Sequence, residues 1–372
     1  MNRAILPLLV LALSLAPVLC WAAEPKTDEA KAIAEIEKLG GQVTRDEKSP
    51  GKPVIAIDLA LSKITDAGMK YVEGLTKLQS LRLTGTQVTD AGLDYLKGLT
   101  HLQTLNLMWT QISDAGLEHL KRLTQLQSLD LGGTKVTDAA VEHTLKRLTQ
   151  LQSLDLAETK VTDAGLEHLK ALLQLQSLGL RETQVTDTGL ERLKGLSQLR
   201  SLDLRVSKVT DAGLEHLKGL ANLQSLDLER TDVSDAGLAH LKGLTNLQML
   251  TLIKTHVSDA GLENLKDLTQ LHSLNLYDTM VTDVGLAHIS GLRNLQSLNV
   301  GTTKVSDAGL GQLKGLTKLR WLGLAETQVT DHGLLVLKGL TELQSLKLSG
   351  TNVTDAGVKR LQQALPNCHI LR

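Results

Sequence analysis

Residues 78–101 read LQSLRLTGTQVTDAGLDYLKGLTH, and the same pattern returns about every 24 residues as far as Pro366. Self-similarity at such a period is the signature of a repeat architecture, in which each unit packs only against its neighbours. A degenerate first register begins at Val54, and the later ones begin at Leu78, Leu102, Leu126, Leu151, Leu175, Leu199, Leu223, Leu247, Leu271, Leu295, Leu319 and Leu343. The sequence therefore predicts thirteen stacked repeats over residues 54–366.

The spacing of the leucines changes within one repeat. Leu81 and Leu83 are two apart, whereas Leu93, Leu96 and Leu99 are three apart. A step of two places side chains on one face of a strand, and a step of three follows one side of a helix. Each repeat is therefore predicted to be a short strand, a turn and a helix of about two or three turns. Because strands lie about 4.8 Å apart and packed helices about 8–10 Å, the strand side must be concave.

Two polar columns run through the repeats. An Asp precedes the helical segment in all thirteen repeats, from Asp66 to Asp355. We expect it to be the helix N-cap, a role that the preceding Thr or Ser can share. Thr at the end of each strand, replaced by Ser62 and Ser207 in two repeats, is expected to satisfy backbone groups in a buried bend.

The strand pattern L-x-x-L-x-L-x-x-T resembles the leucine-rich-repeat family. The helix start V-T-D-A-G-L is similar to the cysteine-containing subclass of F-box-associated receptors, with Thr in place of the usual Asn or Cys. The resemblance implies an α/β solenoid, a right-handed horseshoe with parallel strands on the concave face and short helices on the convex face. This fold serves many unrelated partners, so the resemblance indicates the fold far more strongly than the function.

Residues 1–23 differ from the rest of the chain. Arg3 precedes an apolar run, residues 4–18, and small residues follow at Ala22 and Ala23. This pattern predicts a secretory signal peptide, and hence export to the periplasm, the cell surface or the medium. Retention of the segment as a membrane anchor and lipidation of Cys20 are the alternatives. Cleavage leaves Cys368 as the only thiol, and we expect it to be a buried small hydrophobe.

The remaining segments are predicted to close the two ends of the repeat array. Residues 24–53 form an N-terminal cap with a helix at 28–39, a strand at 42–44 and a loop at 46–53, and residues 367–372 form a C-terminal cap strand. The repeat that begins at Leu126 has 25 residues because Thr144 is inserted, and we expect a local helix bulge there.

Charge and motifs exclude several function classes. The chain carries 40 basic and 41 acidic side chains, which disfavours nucleic acid as a partner. Residues 24–372 contain no apolar run long enough for a stable membrane span. The H-E-x-x-H, G-x-S-x-G, Walker and dinucleotide motifs do not occur. We expect no cofactor, no metal, no enzymatic activity and a monomer.

Recognition is predicted on the concave face. The outward strand positions two, three and five mostly repeat Gln, Ser and Asp or Asn, which marks them as scaffold, whereas positions seven and eight vary. Arg and Tyr dominate interface hot spots, and here they are mixed with apolar side chains. Pairing of opposite charges along the sheet, such as Arg205 with Glu229, is the alternative interpretation. The candidate partner-binding residues are Arg181, Glu182, Arg205, Glu229, Arg230, Met249, Ile253, Lys254, Tyr277 and Asp278, with the outliers Met108, Trp109 and Trp321.

These observations favour an exported, non-enzymatic repeat protein that binds a macromolecule, most simply a protein, on its concave face. The F-box resemblance implies an alternative, the substrate-recognition module of a ubiquitin-ligase adaptor or a host-directed effector. Only about thirty residues separate the leader from the first repeat, which leaves little room for an F-box. A hydrolase acting on envelope polymers is a third class, for which the sequence offers no catalytic residues.

Overall fold

The structure is a computed structural model that describes residues 27–372. Within that range fifteen strands form one sheet, whose strand order follows the chain order. The strands are β1 Gln42–Arg45, β2 Val54–Asp58, β3 Ser80–Arg82, β4 Thr104–Asn106, β5 Ser128–Asp130, β6 Ser153–Asp155, β7 Ser177–Gly179, β8 Ser201–Asp203, β9 Ser225–Asp227, β10 Met249–Thr251, β11 Ser273–Asn275, β12 Ser297–Asn299, β13 Trp321–Gly323, β14 Ser345–Lys347 and β15 His369–Leu371.

Short helices separate the strands and form the opposite layer. The α-helices are α1 Thr27–Lys38, α2 Asp66–Glu73, α3 Asp114–Leu117, α4 Asp138–His143, α5 Asp163–Leu169, α6 Asp187–Glu191, α7 Asp211–Leu214, α8 Asp235–Leu238, α9 Asp259–Leu262, α10 Asp283–Ile289, α11 Asp307–Leu310, α12 Leu334–Leu337 and α13 Asp355–Ala364. Segments of 3₁₀ helix span Asp90–Leu96, Glu118–Leu120, Leu145–Arg147, Glu215–Gly219, Ala239–Leu241, Glu263–Leu265 and Gly311–Gly315.

Strands β2 to β15 are parallel and in register with the repeat. Position three of one repeat pairs with position three of the next, so that Ser201, Ser225 and Met249 lie side by side. The predicted solenoid of parallel strands and short helices is confirmed. One strand departs from it, because β1 pairs antiparallel to β2 and so begins the sheet with a hairpin-like connection.

Many helical segments have about the two or three turns predicted, but part of their length is 3₁₀ helix. Several consist of one α-helical turn that continues as 3₁₀ helix, as at Asp211–Leu214 followed by Glu215–Gly219. The leucine spacing explains the difference, because side chains three apart stack on one side of a helix with three residues per turn. In repeat seven the apolar residues Leu214, Leu217 and Leu220 keep this spacing and are all fully buried.

The Thr at the end of each strand behaves as predicted. The Thr86 hydroxyl donates to the Leu83 carbonyl at 2.7 Å, and the same bond recurs through Thr351 to Leu348. These hydroxyls satisfy carbonyls in a bend that contacts little water. Ser207 is the exception, since its buried hydroxyl has no partner among the described residues.

The Asp column does not cap its own helices, so that prediction was wrong. In repeat seven the N-cap is Thr210, whose hydroxyl accepts from the Ala212 N–H at 3.3 Å. The Asp211 carboxylate reaches the next repeat instead, where it accepts from the Ser234 N–H at 2.7 Å and the Ser234 hydroxyl at 2.5 Å. Stacking places each carboxylate beside the next N-cap, which supplies two donors. The same pair of bonds links all twelve repeat junctions, from Asp66 to Asp331.

The glycine of D-A-G-L makes room for this bridge. A Cβ on Gly237 would overlap the Asp211 carboxylate and lie 3.2 Å from the Asp211 Cα. Glycine therefore leaves room for the carboxylate where two repeats approach each other. At Ala140, which replaces this glycine in the fourth repeat, Asp114 still accepts from the Thr137 N–H at 2.8 Å.

The inserted Thr144 changes the helical layer and leaves the sheet intact. Helix α4 ends at His143, and a 3₁₀ segment begins at Leu145. Thr144 is fully buried, and its hydroxyl donates to Glu118 at 3.1 Å. Strands β5 and β6 remain paired in register. The predicted local distortion is therefore present, as a break between two helical types.

Position eight of every repeat has a left-handed backbone. Glycine occupies it at Gly85, Gly133 and Gly350, and the other ten repeats place a side chain there, including Val206 at φ 55°. A left-handed conformation costs an L-residue roughly 1–2 kcal/mol, and a β-branched one is strained most.

The C-terminal end of the array is closed by helix α13 and strand β15. Cys368 is buried, as predicted, and burial raises the pKa of its thiol. None of the helices in residues 27–372 has the length and apolarity needed to cross a bilayer. The signal-peptide prediction for residues 1–23 and the alternatives at Cys20 lie outside the described residues.

We expect Asp211→Ala to lower the free energy of unfolding by about 1–3 kcal/mol, because the half-buried Ser234 N–H loses its acceptor. Hydrogen exchange should show the loss of protection at the Ser234 amide. Deprotection confined to residues 212–214 would instead restore Asp211 as the cap of its own helix.

Val206→Asn should raise the free energy of unfolding by about 1 kcal/mol, because Asn tolerates the left-handed backbone that strains Val. Denaturant unfolding measures the change. Gly350→Val, at the same position of the last repeat and φ 73°, is the reverse control and should destabilise the chain. Equal midpoints for wild type and Val206→Asn would show that position eight is not strained.

Candidate binding surface

We define the concave face as positions three, five and seven of each repeat, counted from its first leucine, together with position eight, which holds Glu182, Arg230, Lys254 and Asp278. Positions four and six are spine leucines that point inward, so strand alternation turns positions three and five outward. In β9, for example, Ser225 and Asp227 are half-buried while Leu226 between them is fully buried. Position seven follows the strand on the same side and completes each row.

The side chain at position five supports the backbone of its own repeat. Asp203 Oδ1 accepts from the Arg205 N–H at 3.0 Å, and Asn275 Oδ1 accepts from the Tyr277 N–H at 3.2 Å. An Asp or Asn here therefore orients the residue at position seven. The recurring acid or amide is scaffold, as its repetition in the sequence predicted.

Arg205 lies in a compact group of charges. Its guanidinium donates to both oxygens of Asp203, at 3.0 Å from Nε and 2.5 Å from Nη2, and its Nε is 3.6 Å from Asp227. Burial raises the pKa of Asp227 to about 6, and the neighbouring Asp203 carboxylate adds repulsion. The Arg205 cation therefore holds together two carboxylates that have lost part of their hydration.

The other central charges are also paired. Arg181 bridges Glu158 and Glu182, with its Nη1 2.6 Å from Glu182. Arg230 lies 3.8 Å from Glu229, and Lys254 lies 3.9 Å from Asp278.

Charge pairing, the alternative interpretation of these residues, therefore occurs along the sheet. The partners differ in one case, because Arg205 takes Asp203 and Asp227 and leaves Glu229 to Arg230. The sequence did not single out Asp203, Asp227 or Glu158. The only signal was that each lies beside an Arg of its own or the next repeat.

The structure brings some candidates together and separates others. Met249 and Ile253 extend from β10 and Tyr277 follows β11, so these three lie in adjacent repeats. Met108 and Trp109 follow β4, and Trp109 packs against Gly133 of the next repeat at the far end of the face. Trp321 opens β13, where it breaks the Ser column between Ser297 and Ser345. Two outlying apolar sites therefore flank the central charges.

Residues 27–372 contain no group of three or more His, Cys, Asp or Glu side chains arranged to hold a metal ion. Six histidines, His119, His143, His168, His216, His240 and His288, occupy one column on the helical side, one in each of six repeats, and His119 Nδ1 lies 3.3 Å from Asp94. The concave face offers a broad surface of paired charges, amides and exposed apolar side chains. Such a surface can bind a partner by contact.

Comparison with known proteins agrees with this geometry. A family model described as "Leucine-rich repeat region" matches residues 58–236, and one described as "Leucine Rich repeat" matches residues 340–361. No curated protein matches the chain closely enough to count as a relative.

Several solved structures share the fold. An internalin of Listeria monocytogenes superposes with a TM-score of 0.68 at 25% identity, covering 94% of this chain and 95% of the internalin. A leucine-rich-repeat protein of Leptospira interrogans gives 0.54 at 19% identity, over 82% and 87% of the two chains. The ectodomain of the Arabidopsis thaliana receptor kinase GASSHO1/SCHENGEN3, solved in complex with CASPARIAN STRIP INTEGRITY FACTOR 2, gives 0.50 at 19% identity, over 86% and 44%.

Repeat period, sheet topology and family models agree with one another. The chain belongs to the leucine-rich-repeat proteins.

Proposed function

We propose that the chain is exported and that its concave face binds a protein partner without catalysis. The observation that carries this proposal is Met249, which is 52% exposed in a column that otherwise holds Ser or Thr from Ser80 to Ser297. The ladder needs only a small residue at this position. An exposed apolar side chain there contributes nothing to the fold that Ser would not, and it suits an interface.

The size of the face supports a macromolecular partner. Thirteen strands at about 4.8 Å span roughly 60 Å, which accommodates a standard interface of about 800 Å² per partner. The charges around Met249 are paired with one another and held in place, so a partner meets a pre-organised surface. Leucine-rich-repeat proteins are protein-binding modules as a class, and the Arabidopsis ectodomain is an example solved with its ligand.

Replacing the charged residues at the centre of the concave face by alanine tests stability at some positions and binding at others. Removing Arg205 would leave Asp203 and Asp227 without their shared cation, so Arg205→Ala reports on stability as well as on binding. Met249, Arg230 and Lys254 are more exposed, and the two cations make only long ion pairs. These three are therefore the cleaner probes of the surface.

The triple variant Met249→Ala, Arg230→Ala, Lys254→Ala should keep the unfolding midpoint and lose partner capture. We expect a loss of about 2 kcal/mol, roughly thirtyfold in affinity, if one of the three is a hot spot. The measurement is affinity capture from an envelope extract with residues 23–372 as bait, followed by titration of the captured protein.

The matched control carries alanine at Glu215, Lys218 and Lys266, exposed residues of the helical side. It should capture as wild type does. If the control set weakens capture and the Met249 set has no effect, the partner binds the convex face and the proposal is wrong.

Export is tested separately. The motif at residues 1–23 predicts that the full gene yields a protein outside the cytoplasm whose first residue is near Ala23. Cell fractionation followed by N-terminal sequencing measures both. Recovery of chains that begin at Met1 in the cytoplasm would contradict it.

A further inference from the structure

The concave face changes character between repeats eight and nine. In repeats seven and eight, positions five and seven hold Asp203, Arg205, Asp227 and Glu229. In repeats nine to twelve, positions three, five and seven carry no charged residue, and the charges of these repeats lie beside them, at position eight in Lys254, Asp278 and Glu326 and at position two in Arg320. We call this second area the neutral patch. It extends over strands β10 to β13, about 14 Å from first to last. The patch disfavours a charged ligand, because a desolvated charge would find no counter-charge at these positions.

Two aromatic rings lie on glycines within the neutral patch. A Cβ on Gly301 would be 3.0 Å from Tyr277 Cδ2, and a Cβ on Gly323 would be 2.6 Å from Trp321 Cη2. Both glycines are buried although they have no side chain, and both rings remain half-buried. The rings are thus held against the sheet, and the glycines are the reason they can lie there.

Asn299 lies between the two rings. Its Oδ1 accepts from the Gly301 N–H at 3.1 Å, and its Cγ would be 3.0 Å from a Cβ on Gly323. The backbone bond occupies Oδ1 and fixes the orientation of the amide, so that Nδ2 is directed away from it. This Nδ2 has no partner among the described residues. Asn275 repeats the arrangement one strand earlier, with Oδ1 bound to the Tyr277 N–H.

The patch therefore offers rings and hydrogen-bond donors. With Oδ1 engaged, each Asn presents chiefly its amide N–H groups, and Trp321 presents an indole N–H. The complementary ligand carries many acceptors, few donors, no charge and surfaces that stack on rings. A proline-rich peptide segment fits this description, because proline has a carbonyl and no N–H. Aromatic grooves bind such segments elsewhere, at little cost in conformational entropy.

The spacing fits the same ligand. Gly301 and Gly323, on which the rings lie, are one strand and two residues apart, roughly 8 Å in a sheet. A polyproline II helix repeats every three residues at 3.1 Å each, so that successive equivalent faces are about 9 Å apart. One turn of the helix can therefore contact Tyr277 and Trp321 together, with Asn299 positioned to donate to the carbonyl between them.

We propose that the neutral patch, centred on Tyr277, Asn299 and Trp321, binds an uncharged proline-rich segment in the polyproline II conformation. The proposal rests on protein binding at the concave face and names the chemistry of the partner at one end of it. Met249 belongs to both areas, whereas Arg230 and Lys254, which the capture experiment above also tests, are at position eight and outside the neutral patch.

The test uses residues 23–372 and an oligoproline peptide of about ten residues, enough to span the roughly 14 Å of the patch at 3.1 Å per residue. With Trp109→Phe, Trp321 is the only tryptophan within residues 23–372, so its fluorescence reports binding. We expect a saturable change, and at least tenfold weaker binding by calorimetry for Tyr277→Ala, Trp321→Ala and Asn299→Ala. Tyr277→Phe, which keeps the ring, should retain most of the affinity.

Two controls make the result specific. Trp109→Ala removes an aromatic that also packs against a glycine but lies outside the patch, and it should not change the affinity. Gly301→Ala keeps every aromatic and should weaken binding, because its Cβ displaces the Tyr277 ring. Unfolding midpoints of the Tyr277, Trp321 and Trp109 variants should stay close to wild type, and these variants carry the test. Asn299→Ala and Gly301→Ala also remove or crowd a backbone contact and should lower the midpoint. A polyglycine peptide of equal length, which is flexible and carries N–H donors, should not bind.

The outcomes separate this proposal from the proposed function. No binding of oligoproline, or binding unaffected by Tyr277→Ala and Trp321→Ala, overturns the proposal even if the bait captures a protein through Met249, Arg230 and Lys254. Binding of a neutral oligosaccharide at these rings in place of the peptide overturns it too, and identifies a glycan site. Oligoproline binding without any capture through Arg230 and Lys254 supports the neutral patch and contradicts the central surface.

Discussion

The structure depends on one interaction that recurs at every repeat junction. The Asp carboxylate at the start of one helix accepts hydrogen bonds from the N-cap residue of the next helix. Each Asp accepts both the backbone N–H and the hydroxyl of the following Thr or Ser, as Asp211 does from Ser234. Neither group is fully exposed, so an unpaired N–H there would be costly. The bond also brings two repeats close together, and the glycine that faces the carboxylate at most junctions leaves room for it. Leucine burial drives the stacking, and this bridge sets its geometry.

The fold could be predicted from the sequence because the evidence repeats thirteen times. Strand spacing, bend threonines and leucine spine all follow from local periodicity. The role of Asp could not, since a capping Asp and a bridging Asp occupy the same place in the sequence. The two differ only in which repeat supplies the N–H, and that depends on how the repeats pack in the tertiary structure. The antiparallel β1 was missed for a similar reason, because nothing in Gln42–Arg45 encodes strand direction.

The candidate surface was predictable in part. Met249, Tyr277 and Trp321 could be located because they differ from the residues that the other repeats carry at the same position. The other repeats show which residue types the fold itself needs there. Which charges pair was not predictable, since Arg205 chooses among Asp203, Asp227 and Glu229 by side-chain geometry. The value of Gly301 and Gly323 was overlooked too. The signal is a large side chain with a glycine at the same position of the next repeat, as Tyr277 has Gly301, or two residues later in the same strand, as Trp321 has Gly323. Comparing the residues at one position of the repeat at a time hides this signal.

The bridge between repeats has a direction, and this bears on how such a chain can change length. The Asp of each internal repeat binds the N-cap residue of the following repeat, and its own N-cap residue binds the Asp of the preceding repeat. Any internal repeat therefore satisfies both neighbours equally. Duplication or deletion of a whole unit by recombination leaves no junction unmatched. Only the end units are unique, and Asp355, which has no successor helix, contacts Arg372 instead. A unit gained or lost between repeats eight and nine would shift the uncharged strands relative to the charged ones by about 4.8 Å. Gain or loss of whole repeats can therefore change the distance between two areas of the surface in fixed steps, without any new type of contact between repeats.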